Sequence, residues 1–165
     1  MNWKDLNRQQ VGRYAEYFVK MRFVQMGFDV YGAEVDDHGI DFVLRINARQ
    51  YWDVQVKSIR ETGYVFMQKN KFDVESNLLL ALVIFIEGKD PDLYLIPARE
   101  WIEPCPELKG ILVDRNYPGL KSKPEYGINL SLKGIRALDG FRFETIAATL
   151  ETKYFIPSKT KGCSE

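Results

Sequence analysis

The chain is poor in the residues that most readily announce a chemistry. It holds one histidine, His38, and two cysteines, Cys105 and Cys163, far apart and without metal-ligand spacing. A zinc site and a disulfide framework are thereby disfavoured, and both thiols are expected to be free in a reducing compartment. His38, beside Asp36 and Asp37, reads as a turn or loop residue rather than as a metal ligand or general base. The longest apolar run, "LLLALVIFI", has nine residues, short of the roughly 18 to 20 that a membrane-spanning helix needs. The opening "MNWKDLNRQQ" lacks the apolar core of a signal peptide. A cytoplasmic location with no membrane partner is the expectation. Net charge is also missing: 23 Lys and Arg balance 23 Asp and Glu, so no global field attracts a polyanion.

What is present is an ordinary globular composition, 45% hydrophobic and 13% aromatic over 165 residues, enough for one core. The charges are unevenly spread. Met1 to Gly27 carries five basic residues against two acids, and Lys57 to Lys71 carries four against Glu61. Asp29 to Asp41 has five acids and no Lys or Arg. An acidic pocket rimmed by basic segments suits a cation bound beside a polyanion, although solvated faces produce such runs as well.

Hydrophobic periodicity orders the elements. Val11, Ala15, Phe18, Val19 and Met26 share one stripe at about 100° per residue, which predicts a helix from Asn7 to Met26 stopped by Gly27. "FDVYGAEV", "GIDFVLRI" and "YWDVQVKS" read as strands, the last two joined by a turn around "NARQ". "VFMQKNKFDVES" is expected to form a short helix, "LLLALVIFI" a strand buried on both faces, and "DLYLIP" another strand. After Glu103, prolines and glycines predominate; a short strand is expected at "GILVD", then helices at "SLKGIRAL", capped by Ser131, and "FETIAATLETKY". One domain over residues 1–157 follows, with a core over about 7–102, an elaboration over about 103–157 and a disordered tail at 158–165.

The strand pair from His38 to Ser58 carries the functional signal. Ile40, Phe42, Leu44 and Ile46 share one face, as do Trp52, Val54 and Val56. Both apolar faces must point into one core, so even positions oppose even ones and odd oppose odd. Two registers satisfy this: one sets Asp41 opposite Gln55, the other sets it opposite Lys57. Either way an acid, an amide and an amine gather on the polar face, with facing Cβ atoms about 5 Å apart. A carboxylate beside an amide oxygen makes a hard-oxygen site for Mg²⁺ or Mn²⁺. A lysine two residues along can orient or deprotonate water, or offset charge on a phosphate. The same residues also fit a plain polar strand face on which Asp41 and Lys57 form a surface ion pair. Glu16 lies about 100° round the helix from Ala15, at the border of the buried stripe, with Gly12 one turn earlier; a glutamate there can reach a site beside the sheet.

Glu16 on the first helix, "GID" with Asp41, "QVK" with Gln55 and Lys57 on the next strand, then further elements in order, resemble the PD-(D/E)xK nuclease superfamily. The likeness is greatest to its restriction endonuclease-like and archaeal Holliday junction resolvase-like branch, and it covers about residues 10 to 97. It implies an α/β fold with a central mixed sheet flanked by helices, in αβββαβ order, followed by an α-rich elaboration. It implies a Mg²⁺-dependent or Mn²⁺-dependent nuclease acting on nucleic acid, in the first place DNA. Asp41 and Gln55 would hold the metal with the backbone carbonyl of Val56, Lys57 would position the attacking water, and Glu16 would assist from the helix. Gln55 stands where the superfamily usually has an acid, and Gly39 and Ile40 stand where some members have a proline. Gln68, Lys69 and Lys71 either line the same cleft from the expected second helix and touch phosphates or form an ordinary solvated helix face. Relatives of resolvase type often form homodimers. The alternative is a catalytically inactive module that keeps the fold to bind nucleic acid or a protein.

Overall fold

The computed structural model describes residues 2–32, 39–75, 77–116 and 122–150. Helix α1 (Arg8–Gln25) begins where the sequence predicts, because the Asn7 side chain accepts from the Gln10 N–H at 2.9 Å while Gln10 Oε1 accepts from the Asn7 N–H at 2.8 Å. This reciprocal cap satisfies two backbone donors that the first turn would otherwise leave open. Gly27, at φ +88°, ends the helix in the left-handed region that glycine adopts without steric cost. Val11, Ala15, Val19 and Phe23 face the core. Met26, assigned to that stripe from periodicity, is exposed, and Phe23 takes the buried place at its lower end.

A five-stranded sheet lies beneath α1 in the order β1-β2-β3-β5-β6, from β1 (Asp29–Gly32), β2 (Phe42–Asn47), β3 (Gln50–Arg60), β5 (Leu78–Phe85) and β6 (Asp92–Pro97). Only β3 and β5 run parallel, so the sheet is mixed. The rings of Phe23 and Phe42 meet edge to face at 6.0 Å, and Trp3 and Tyr14 close on Phe85. Thus the apolar face of the β2–β3 hairpin packs on α1. Every residue of β5 is buried, as its continuous apolar run requires; each large side chain there contributes roughly 1.5–3 kcal/mol through removal from water.

A parallel pair needs a crossover connection, and here the structure departs from expectation. The segment "VFMQKNKFDVES" does not make a helix. It forms most of strand β4 (Gly63–Gln68) and then a single 3-10 turn, Lys69–Lys71. Strand β4 pairs with β8 (Glu125–Leu130), which pairs with β7 (Leu112–Arg115), giving a second, three-stranded antiparallel sheet. The region expected to be α-rich therefore supplies two strands, β7 at the predicted position and β8 unforeseen, before the short helices α2 (Leu132–Ala137) and α3 (Phe143–Ala147). Ser131 caps α2 as predicted, accepting from the Gly134 N–H at 3.1 Å. The second sheet is tied in through Trp101, whose indole N–H donates to Gly127 O at 3.0 Å, and through the Phe72–Trp101 ring contact. Buried residues of both sheets form one continuous hydrophobic cluster. Among the described residues no helix is long and apolar enough to cross a membrane. The expected continuation of β1 past Gly32, the position of His38 with its neighbouring acids, and the tail at 158–165 lie outside the described residues.

Candidate active site

Of the two registers open to the hairpin, the chain adopts the one in which Phe42 pairs with Val54 and Leu44 with Trp52. The ladder ends at that pair, and the Asp41 N–H, one residue before the strand, still donates to Val54 O at 2.9 Å, which holds Asp41 where the strands part. The turn is fixed locally: Asn47 Oδ1 accepts from the Arg49 N–H at 3.0 Å, and a one-residue register slip between Arg45 and Asn47 absorbs the loop.

Past this point β2 leaves β3, while β3 continues to Arg60 with β5 still paired along its other side. One edge of β3, from Gln55 onward, therefore has no strand partner. The first open donor on that edge is the Val56 N–H, and it is taken by a side chain: Asp41 Oδ2 accepts from it at 2.6 Å. N–H and C=O of one residue point to the same side of a strand, so the Val56 carbonyl faces this edge as well. The carboxylate of Asp41 and the backbone oxygen of Val56 thereby lie together where the hairpin opens, with Gln55 the preceding residue of the strand.

Gln55 is 5% exposed, and its Oε1 is buried without a hydrogen-bond partner among the described residues. An acceptor in that state costs on the order of 1–3 kcal/mol and is uncommon in folded chains. Gly39 makes room for the amide. At φ +76° it takes a conformation that side chains resist, and a Cβ there would stand 2.6 Å from Gln55 Nε2 and 2.9 Å from Lys71 O. Lys57, half-buried on the same strand face as Gln55, has no hydrogen-bond or ion-pair partner among the described residues.

The open edge of β3 lines a cleft of about 880 Å³ between the start of α1 and β4. Arg8, Lys57, Arg60 and Lys71 contribute to its wall, and among the described residues no carboxylate does. None of the four is ion-paired among those residues; Arg60 donates to the backbone oxygen of Leu6. A neutral chain thus concentrates positive potential in one concave surface, where low-dielectric walls focus it.

The remaining predicted positions divide. Gln68 and Lys71 line the cleft with Gln55, Val56 and Lys57. Lys69 does not: its ammonium binds Asp114, reaches Asn116 Oδ1 at 3.1 Å and lies 4.5 Å from the centre of the Tyr126 ring. Glu16 borders a neighbouring depression with Gln9 and Gln10 that shares Gly12 with the cleft, and it pairs with Arg13 at 3.1 Å. Sequence reasoning passed over Tyr64 and Phe66 in the cleft wall, because a helix expected from Val65 onward breaks the alternation that joins them. It also passed over Asp53, on the same strand face as Gln55 and two residues before it. Burial raises the Asp53 carboxyl above the ordinary aspartate range, with no other contribution.

The donor set can be tested against a divalent ion. Among the described residues no three His, Cys, Asp or Glu side chains converge. The oxygens that this stretch of the edge offers are one carboxylate, one buried amide without a partner among the described residues and one backbone carbonyl. That set suits Mg²⁺, which keeps several waters and takes one or two carboxylates, and it suits neither zinc nor copper.

No protein-family model matches the chain, and no curated protein matches it. Solved structures do. The Holliday junction resolvase Hjc of Archaeoglobus fulgidus superposes with a TM-score of 0.50 at 13% identity, over 88% of this chain and 98% of that one. The bacterial homing endonuclease I-Ssp6803I superposes with a TM-score of 0.51 at 17% identity, over 88% of this chain and 95% of that one. At such identities the likeness establishes a fold shared with these nucleases, a central mixed sheet flanked by helices.

Proposed function

We propose that the protein is a divalent-metal-dependent nuclease that hydrolyses phosphodiester bonds in DNA. One observation carries the reading: the open edge of β3 brings Gln55, Val56 and Lys57 to a cleft walled by cations, the Asp41 carboxylate is bound to the Val56 N–H on that edge, and the buried Gln55 Oε1 and the Lys57 ammonium have no partner among the described residues. Two proteins of the same fold are by name a junction resolvase and a homing endonuclease, which supports the assignment of a nucleic-acid substrate. Asp41, Gln55 Oε1 and the Val56 carbonyl would hold the ion, with Glu16 reaching it through water. The chemistry an ion supplies when bound is stabilisation of charge on the phosphoryl oxygens and a lowered water pKa. Lys57 donates hydrogen bonds that align the attacking water with phosphorus or meet charge as it builds on the phosphoryl group. Arg8, Arg60 and Lys71 hold the flanking phosphates and so fix the strand in the cleft. Val56 and Gln55 are placed by β-ladder geometry, so the site is arranged before substrate arrives.

Lys57→Ala and Asp41→Asn should each abolish cleavage of single-stranded, duplex and branched substrates in Mg²⁺ or Mn²⁺. Asp41→Ala is a poorer probe, because it strips the Val56 N–H of its acceptor and should cost about 1–3 kcal/mol of stability. A second reading is a binding module without catalysis, and it draws on the glutamine at position 55 and on the absence of converging acids among the described residues. If the purified chain cleaves none of these substrates with either ion yet still binds them, the binding reading stands and the nuclease reading falls.

A further inference from the structure

The cleft wall formed by β4 is not a plain polar strand face. Val65 and Met67 turn into the core at 7% and 1% exposure, while Tyr64, Phe66 and Gln68 alternate toward the cleft. The Tyr64 and Phe66 rings lie nearly parallel, 18° apart in plane with centroids at 6.4 Å. Phe66 remains 46% exposed, a large apolar ring in a cleft whose cations have no ion-pair partner among the described residues.

Dedicated packing holds the pair in place. The Tyr64 hydroxyl donates to Glu125 Oε1 at 2.8 Å, and the Arg115 guanidinium lies 4.7 Å from the centre of the same ring. Across the ladder Phe66 faces Gly127, and the Tyr64 ring leans diagonally over that glycine. A Cβ at position 127 would run into the phenol. A glycine weakens a strand interior, and here it provides the seat for the ring.

We propose that the Tyr64–Phe66 pair is a stacking platform for an unpaired base, so that the cleft takes nucleic acid with at least one nucleotide outside the duplex stack. This rests on the reading of the cleft as a nucleic-acid site and names the form of the substrate. Charge complementarity selects the occupant: the cations take the phosphates, and the ring left open among them takes the face of a base. In a duplex those faces are occupied by neighbouring base pairs, whereas a single strand or a branch point offers them. Stacking on an aromatic ring tolerates any base, so the platform selects structure rather than sequence.

The test measures binding of labelled oligonucleotides of about 15 nucleotides to the full chain by fluorescence anisotropy, with chelator present to prevent cleavage. Three probes are compared: an intact single strand, the same strand made abasic at its central positions, and a duplex. The wild type should bind the intact strand at least about fivefold more tightly than the abasic strand or the duplex. Phe66→Ala and Phe66→Leu should both remove that preference while leaving abasic-strand binding unchanged, and Phe66→Trp should keep it. Gly127→Ala, which displaces the Tyr64 ring, should weaken the preference in the same direction. Equal binding of intact and abasic strands by the wild type, equal losses on both in Phe66→Ala, or full recovery in Phe66→Leu would each overturn the platform. So would self-association that disappears in Phe66→Ala without any change in preference, which would make the face an interface between copies. Failure of the wild type to bind any of the probes would overturn the nucleic-acid reading together with the platform. Absence of cleavage in Mg²⁺ with the base preference intact would overturn the nuclease assignment alone.

Discussion

Gln55→Met isolates the most informative atom in the protein. Methionine conserves volume and removes the buried Oε1, which has no hydrogen-bond partner among the described residues. Relieving an unsatisfied buried acceptor is worth about 1–3 kcal/mol, and for a chain of this length 1 kcal/mol moves Tm by about 2–4 °C. In chelator Gln55→Met should therefore melt about 2–12 °C above the wild type. Gln55→Glu should melt below it, since a second carboxylate is then buried beside Asp41. Mg²⁺ or Mn²⁺ reverses the order. An ion held at about 100 times its Kd stabilises by about 2.7 kcal/mol, so Tm should rise by about 5–10 °C in the wild type and further in Gln55→Glu, with little response in Gln55→Met. The assay is thermal melting followed by circular dichroism, each variant with chelator and with ion. Equal metal responses in the wild type and Gln55→Met would remove Gln55 from the proposed ligand set, and a Gln55→Met protein less stable in chelator would refute the unsatisfied-acceptor argument.

The remaining predictions concern its neighbours. Gly39→Ala combines a positive φ with a Cβ 2.6 Å from Gln55 Nε2 and should cost about 2 kcal/mol or more by chemical denaturation, together with loss of the metal response. Burial raises the Asp53 carboxyl, so the folded state holds that proton more tightly than the unfolded chain, and stability falls as pH rises from the ordinary aspartate pKa through the raised folded value. Asp53→Asn should accordingly melt higher than the wild type at pH 7, and the difference should vanish below about pH 3.8; a difference independent of pH would contradict the cause given. Lys71→Ala should lower the slope of log K against log salt for nucleic-acid binding by about 0.7–0.9, whereas Lys69→Ala, whose ammonium is engaged with Asp114, should leave the slope unchanged.

What could be read from the chain follows from how far each constraint reaches. The α1 boundaries were legible because Asn7, Gln10 and Gly27 act within one turn of their own positions. The polar face of the hairpin was legible because a period of two leaves only two registers, and both bring Asp41, Gln55 and Lys57 together. Choosing between them was beyond the sequence, since the slip at Asn47 depends on how its side chain folds over the turn. Strand β4 was lost for a related reason. Its partner is β8, some 60 residues later in a stretch broken by Pro118, Pro124 and Gly127, and nothing local to "GYVFMQ" announces that pairing.

That loss explains why the cleft residues were only half found. Gln55 and Lys57 lie on an element whose alternation is self-evident, and Tyr64 and Phe66 lie on one whose direction is set by a remote glycine. The edge of β3 is where the two kinds of information meet. Were β2 to continue beside it, the Val56 N–H would bond to a strand carbonyl, Asp41 would be an ordinary ladder residue, and the polar face would be a solvated surface. Because β2 begins only at Phe42, the Asp41 carboxylate must substitute for the missing strand, and the space the strand would have filled becomes the cleft. The fold thus creates the vacancy, and Gln55, Val56 and Lys57 of the hairpin line it.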